Sequence, residues 1–149
     1  MPTEREAWRE LGVSRVALVR FLREAQAAAG VKGEVAVLLA RDKTLKKLNW
    51  QFRGKDKATD VLSFPPAGLG IKKYAGDLAI SFETAWRQAE EHGHTVGEEL
   101  RILMLHGLLH LAGMDHETDE GEMAAREAKL RKKLKLPVGL IARAHEVSQ

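Results

Sequence analysis

The chain has no cysteine among its 149 residues. That absence excludes disulfide bonds, thiolate metal ligands and cysteine nucleophiles, and it agrees with a reducing, cytoplasmic location. Also missing is any uninterrupted apolar run near the roughly 18 residues that a membrane-spanning helix requires. The opening MPTEREAWRE is charged and lacks the apolar centre of a secretory signal. A soluble, unsecreted protein with no membrane partner is expected. No internal repeat divides the sequence, and 149 residues with 44% hydrophobic content suffice for one core but hardly for two. A single domain over 1–149 is expected, with 1–12 and 138–149 loosely ordered.

Charge is present but unevenly placed. The formal net charge is +3 and the pI is near 9.3. Residues 41–57 hold seven Lys or Arg against two Asp, and residues 126–135 hold six against one Glu. Residues 83–99 and 115–122 are mainly acidic. Either basic block alone reads as a solvated helix face; beside a hydrolytic site the two suggest a polyanionic substrate.

Three of the six histidines fall in HGLLHLAGMDH, residues 106–116. His106 and His110 are four apart, so on a helix their rings share a face and reach one point. Gly113 is placed to end that helix with positive φ, turning the backbone so that His116 swings back towards the first two. The spacing H-x-x-x-H-x-x-G-x-x-H is that of a zinc-hydrolase motif with one substitution, because Gly107 stands where H-E-x-x-H enzymes carry their glutamate base. Neutral imidazoles suit Zn²⁺, and three protein ligands leave the fourth position for water, the catalytic arrangement. One zinc per chain is expected. Asp115, beside the third histidine, is placed either to orient a ligand ring or to cap the loop.

The remaining chain alternates helix and strand. Ser14 reads as an N-cap for a helix with a stripe of Val16, Leu18, Val19, Phe21 and Leu22, fading into Gly30. Glu34–Ala40 reads as a strand, and Asp42 as the cap of a helix with Leu45, Leu48 and Phe52 on one side and Lys43, Lys46 and Lys47 facing out. Arg53 ends it. On spacing alone such an arginine is a surface or C-cap residue, although its guanidinium is suited to gripping phosphate. Lys55 and Lys57 follow as phosphate contacts or solvated lysines. Residues 60–64 read as a strand stopped by Pro65–Pro66, with Asp60 as a loop brace or strand-start cap, and 65–75 as a loop. Gly76–Ser81 is a third strand and 82–92 a helix with Ala85, Trp86 and Ala89 inward. His92 and His94 are assigned to the following turn. Thr95 and Glu98 form a capping box for the histidine helix, and Asp119 opens a last helix to about Leu134.

The stretches LNWQFRGKDKATDVLSFP (48–65), GDLAIS (76–81) and LHGLLHLAGMDHE (105–117), in this order, closely resemble the bacterial YbeY family of endoribonucleases and rRNA maturation factors. The resemblance covers roughly residues 34–134. It implies an α+β, zincin-like metal-dependent hydrolase fold, a small mixed β-sheet packed against helices with the metal-binding helix central. It also implies zinc on His106, His110 and His116, and a substrate-binding or catalytic role for Arg53. Single-stranded RNA is the implied substrate, with 16S rRNA 3′-end maturation and ribosome quality control on the small subunit as the setting. Ala58 and Met114 stand where the family commonly has Pro and Tyr, and the N-terminal strand often seen in the family is not evident.

Phosphodiester cleavage at the metal, with Arg53 stabilising charge on phosphorus and the basic segments holding the RNA backbone, follows from these parts. Two alternatives remain at this level. One is a metallopeptidase or small-molecule hydrolase on the same frame, which Gly107 disfavours. The other is a non-catalytic, zinc-containing ribosome-associated factor.

Overall fold

The computed structural model describes residues 14–56, 59–65 and 74–137. They form α1 (Arg15–Ala29), β1 (Glu34–Ala40), α2 (Asp42–Arg53), β2 (Val61–Phe64), β3 (Tyr74–Ser81), α3 (Phe82–His92), α4 (Val96–Leu111) and α5 (Glu122–Lys133). The strands make one mixed sheet in the order β1-β3-β2, with β1 parallel and β2 antiparallel to β3. No helix among the described residues is long and apolar enough to cross a membrane. The expectations for 1–12, Lys57, Ala58 and 138–149 fall outside the described residues.

Alternation along β3 sends its side chains to two faces. Leu78 and Ile80 join the main core with α1, α3, α4 and α5. Ala79 faces the other way and joins Ala40, Leu45 and Leu62 in a small cluster under α2, the one helix on that side among the described residues. Helix α4 is buried from Ile102 to Leu109, and a helix apolar on all sides belongs in the middle of a fold. Its start is secured by the capping box: Thr95 Oγ1 accepts from Glu98 N, and Glu98 Oε1 accepts from Thr95 N. The metal-binding helix is thus central, as the resemblance implies.

Four local expectations shift. In α1 the buried stripe is Leu18, Phe21, Leu22, Ala25 and Ala29, whereas Val16 and Val19 are 69% and 41% exposed. The two valines satisfy a helical period, but the alanines let the helix lie closer on α4 along the other line. Asp42 is the first helical residue and Arg41 the cap; the Asp42 carboxylate instead accepts from Ser81, from Thr84 Oγ1 at 2.6 Å and from Arg87 Nη2 at 2.9 Å. Strand β3 begins at Tyr74, two residues before Gly76, where pairing with β1 continues past an irregularity at Glu34/Val35. Helix α5 begins at Glu122, and Asp119 lies in the turn before it, accepting from Gly121 N at 3.0 Å and Met123 N at 2.8 Å.

Candidate metal centre

Because α4 continues through His106 and His110, their rings lie one turn apart on one face, edge-on to each other with centroids 4.9 Å apart. The helix stops at Leu111, and Gly113 takes φ +94°, a conformation open to glycine. The backbone then doubles back: Gly113 N donates to His110 O at 3.0 Å and Met114 N to Leu109 O at 3.1 Å. This turn brings the ring of His116 to 5.2 Å from that of His106 and 5.4 Å from that of His110. One ligand-type nitrogen from each ring lies within 4.8 Å of the others.

The hydrogen bonds behind the rings say which atoms are available. His106 Nδ1 donates to Glu127 Oε2 at 2.8 Å, and His110 Nδ1 donates to Met114 O at 3.0 Å. Each Nε2 therefore keeps its lone pair, yet the two Nε2 atoms face one another at 3.2 Å. Two lone pairs at that separation repel unless a cation lies between them. A tetrahedral zinc with bonds of 2.0–2.1 Å sets two ring nitrogens about 3.3 Å apart. His116 Nδ1 is buried with no hydrogen-bond partner, as in a ring that reserves a lone pair. Burial lowers the pKa of His110 below 6.5; the neighbouring His106 and His116 add to that, against the opposing effects of Met114 O and Asp115. A neutral ring is the form a metal binds. The residues present therefore fit a divalent cation.

Glu127 is the site residue that spacing rules do not reveal. It lies on α5, 3% exposed, and its carboxylate fixes the tautomer and orientation of His106. The signal in the sequence is slight: a lone carboxylate at the i+4 position of a buried stripe, Met123-Glu127-Leu130, on a basic helix.

A cleft of about 600 Å³ opens over the three rings, and Arg53, Asp60, Ser63 and Asp115 line it with them. Arg53, the exposed last residue of α2, joins the lining of the cleft from the opposite side of the sheet. Asp115 is used by the loop: its Oδ1 accepts from Glu117 N at 3.0 Å, and its described hydrogen bonds include none to a ligand ring. Asp60 braces the entry to β2 by accepting from Val61 N at 2.8 Å. Lys55 is exposed and outside the described cleft lining. Of the second basic block, Arg126 ties α5 to Ala28 O at 3.1 Å and Arg131 reaches Leu136 O at 3.4 Å, so two of its cations serve the fold. His94 is more than a turn residue: its Nε2 lies 2.6 Å from Oε1 of the fully buried Glu99.

Gly107 bears on the peptidase alternative. A Cβ there would meet Leu78 Cδ2 at 2.7 Å and Ser63 Oγ at 3.2 Å, while Ser63 Oγ donates to Gly107 O at 3.0 Å. The sheet presses on the helix at the position where a glutamate base would sit. A side chain there would have to displace the buried Leu78, and with glycine at 107 peptide hydrolysis by that route has no base.

The family model described as endoribonuclease YbeY matches residues 6–135. Over 132 residues the chain is 57% identical to the endoribonuclease YbeY of Koribacter versatilis, covering 89% of this chain and 85% of that protein. The chloroplastic endoribonuclease YBEY of Arabidopsis thaliana is 47% identical over 124 residues, covering 78% of this chain and 21% of that longer protein. The solution structure of TM1509 from Thermotoga maritima aligns with a TM-score of 0.54 at 29% identity, over 90% of this chain and 85% of that one. With its zincin-like α+β fold and its converging histidines, this chain belongs to the YbeY family.

Proposed function

We propose that this chain is a metal-dependent endoribonuclease cleaving single-stranded RNA in the cytoplasm. The finer assignment is 16S rRNA 3′-end maturation and quality control on the small ribosomal subunit, with zinc on His106, His110 and His116. One observation carries this: the histidine cluster and Arg53 line the same cleft although they come from α4 and α2. A cation bound there would polarise a phosphate oxygen and lower the pKa of water. The chain's own groups do the rest. Arg53 grips the scissile phosphate and stabilises the charge developing on it. Glu127 keeps His106 in the ligand tautomer. Exposed Lys43, Lys46, Lys47 and Lys55 attract the RNA backbone electrostatically, and Lys57 is assigned the same role.

Metal content and cleavage of a single-stranded oligoribonucleotide, measured together on highly purified protein, test the assignment. His110→Ala is expected to lose both. Arg53→Ala is expected to keep its metal and lose about 10²–10³-fold in rate, the range for removing one stabiliser of transition-state charge. Cleavage that survives both changes would refute it and leave a non-catalytic ribosomal factor.

A further inference from the structure

Next to the histidine cleft is a second cavity, about 970 Å³, on the sheet face that α2 only partly covers. Arg53, Ser63 and Pro65 line both, so the two cavities share a wall. Its lining is mainly apolar. Phe52 is 66% exposed and Leu38 is 47% exposed, a cost that a small soluble domain avoids unless the patch binds something. Phe52 immediately precedes Arg53, and its ring meets that of Phe64 edge-on with centroids 5.2 Å apart. One edge-on neighbour steadies the ring while most of it stays in water. Tyr74 donates to Asp77, the cross-strand partner of Phe64, so a hydroxyl and a carboxylate line the groove beside its aromatic part.

We infer that this groove is a nucleobase subsite: RNA whose phosphate is held by Arg53 lays its adjoining base on Phe52. This rests on the ribonuclease reading and extends it to how the strand is held. The shared wall places the next nucleotide at the groove. An exposed aromatic beside a cation is the means by which proteins hold single strands without demanding a sequence, since every base has a π face. Bases stacked within a duplex cannot reach such a ring, so the subsite also selects unpaired RNA. Arg53 in the groove's own wall, and the exposed Lys43, Lys46 and Lys47 elsewhere on the same helix, favour a polyanion over an apolar protein surface.

The test is fluorescence anisotropy with 2′-O-methyl oligonucleotides, intact or carrying one abasic nucleotide at each position in turn, on wild type, Phe52→Ala and Phe52→Trp. Phe52→Ala should weaken the intact strand roughly 5- to 150-fold, the range for one lost base–aromatic stack, and Phe52→Trp should retain affinity. One abasic position should weaken wild type by a similar factor and Phe52→Ala hardly further. In cleavage the loss should fall in KM, and the melting temperature should drop by no more than about 4 °C, because the mostly exposed side chain gives up little beyond its contact with Phe64. Unchanged affinity in Phe52→Ala, or an abasic penalty equal in both proteins, overturns the subsite. So does a change confined to self-association in sedimentation, which would give the groove to a second copy. The two failures separate: cleavage that survives Arg53→Ala and His110→Ala sinks the nuclease reading, whereas a silent Phe52→Ala beside the expected behaviour of those variants sinks only the subsite.

Discussion

His106 is held from behind by Glu127, and both side chains are at most 7% exposed. A buried carboxylate on a ligand ring raises the basicity of the ring as well as aiming it. Glu127→Gln keeps the shape and removes the charge, so it should weaken metal binding about 10- to 100-fold in competition with a chelating dye. Equal affinity would show that α4 alone positions the ring. Gly107 acts at the same scale through the absence of atoms. Gly107→Ala pushes a methyl into Leu78, which is fully buried, and should cost about 1–3 kcal/mol in denaturant unfolding, partly offset by roughly 1 kcal/mol of better helix propensity. Gly107→Glu should fail to yield soluble native protein rather than gain peptidase activity. Neither effect can be read from residues 106–116 alone, because both partners, Glu127 on α5 and Leu78 on β3, come from other elements.

Among the elements, α2 has the most to do with so little cover. It is anchored at its start, where Asp42 is tied to the end of β3 and the start of α3 through Ser81, Thr84 and Arg87. Burial alone would raise the pKa of Asp42, but hydrogen bonds from those three residues and the charge of Arg87 hold it below 3.8. A carboxylate with a depressed folded pKa adds stability that is complete above its unfolded value and is lost as pH falls through the folded one. Asp42→Asn should therefore cost about 1–2 kcal/mol at pH 7, and the gap to wild type should begin to narrow only below about pH 4 and close once the pH is under the folded pKa of Asp42. A gap that persists in acid would mean the network works without the charge. Since α2 carries Phe52 and Arg53 at its far end, loosening Asp42 should also weaken RNA binding. The periodicity of α2 was legible, with Leu45 buried and its lysines outward, but Phe52 departs from it, 66% exposed where a core side was expected. Core packing does not set that position; among the described residues the sheet face beneath it is only partly covered.

At the scale of the whole molecule, three histidines on α4 and its following loop, with Glu127 behind them, join the end of the central helix to α5. A bound cation should thus act as a staple. At a free concentration 100 times its Kd it adds about 2.7 kcal/mol, and a protein of this size should melt about 5–10 °C higher. Calorimetry with and without added zinc measures this, and His116→Ala should abolish the shift while leaving the metal-free melting temperature nearly unaltered. A shift that survives in His116→Ala would place the metal elsewhere.

What the sequence determined by itself is what local geometry and composition control. The spacing of His106, His110 and Gly113 settles that two rings share a helix face and that the chain can turn after them. The apolar, β-rich run of Glu34–Ala40 and the inward Ala85, Trp86 and Ala89 of 82–92 likewise give β1 and α3 their observed bounds. Tertiary structure alone decided which remote groups are brought together: Arg53 into the lining of the histidine cleft, Glu127 behind His106, Leu78 against Gly107, and Phe52 beside an apolar groove. Those pairings join positions far apart in the chain, so no periodicity encodes them; they arise because burying α4 on every side gathers α1, α3, α5 and the sheet around it, while α2 sits on the sheet's other face.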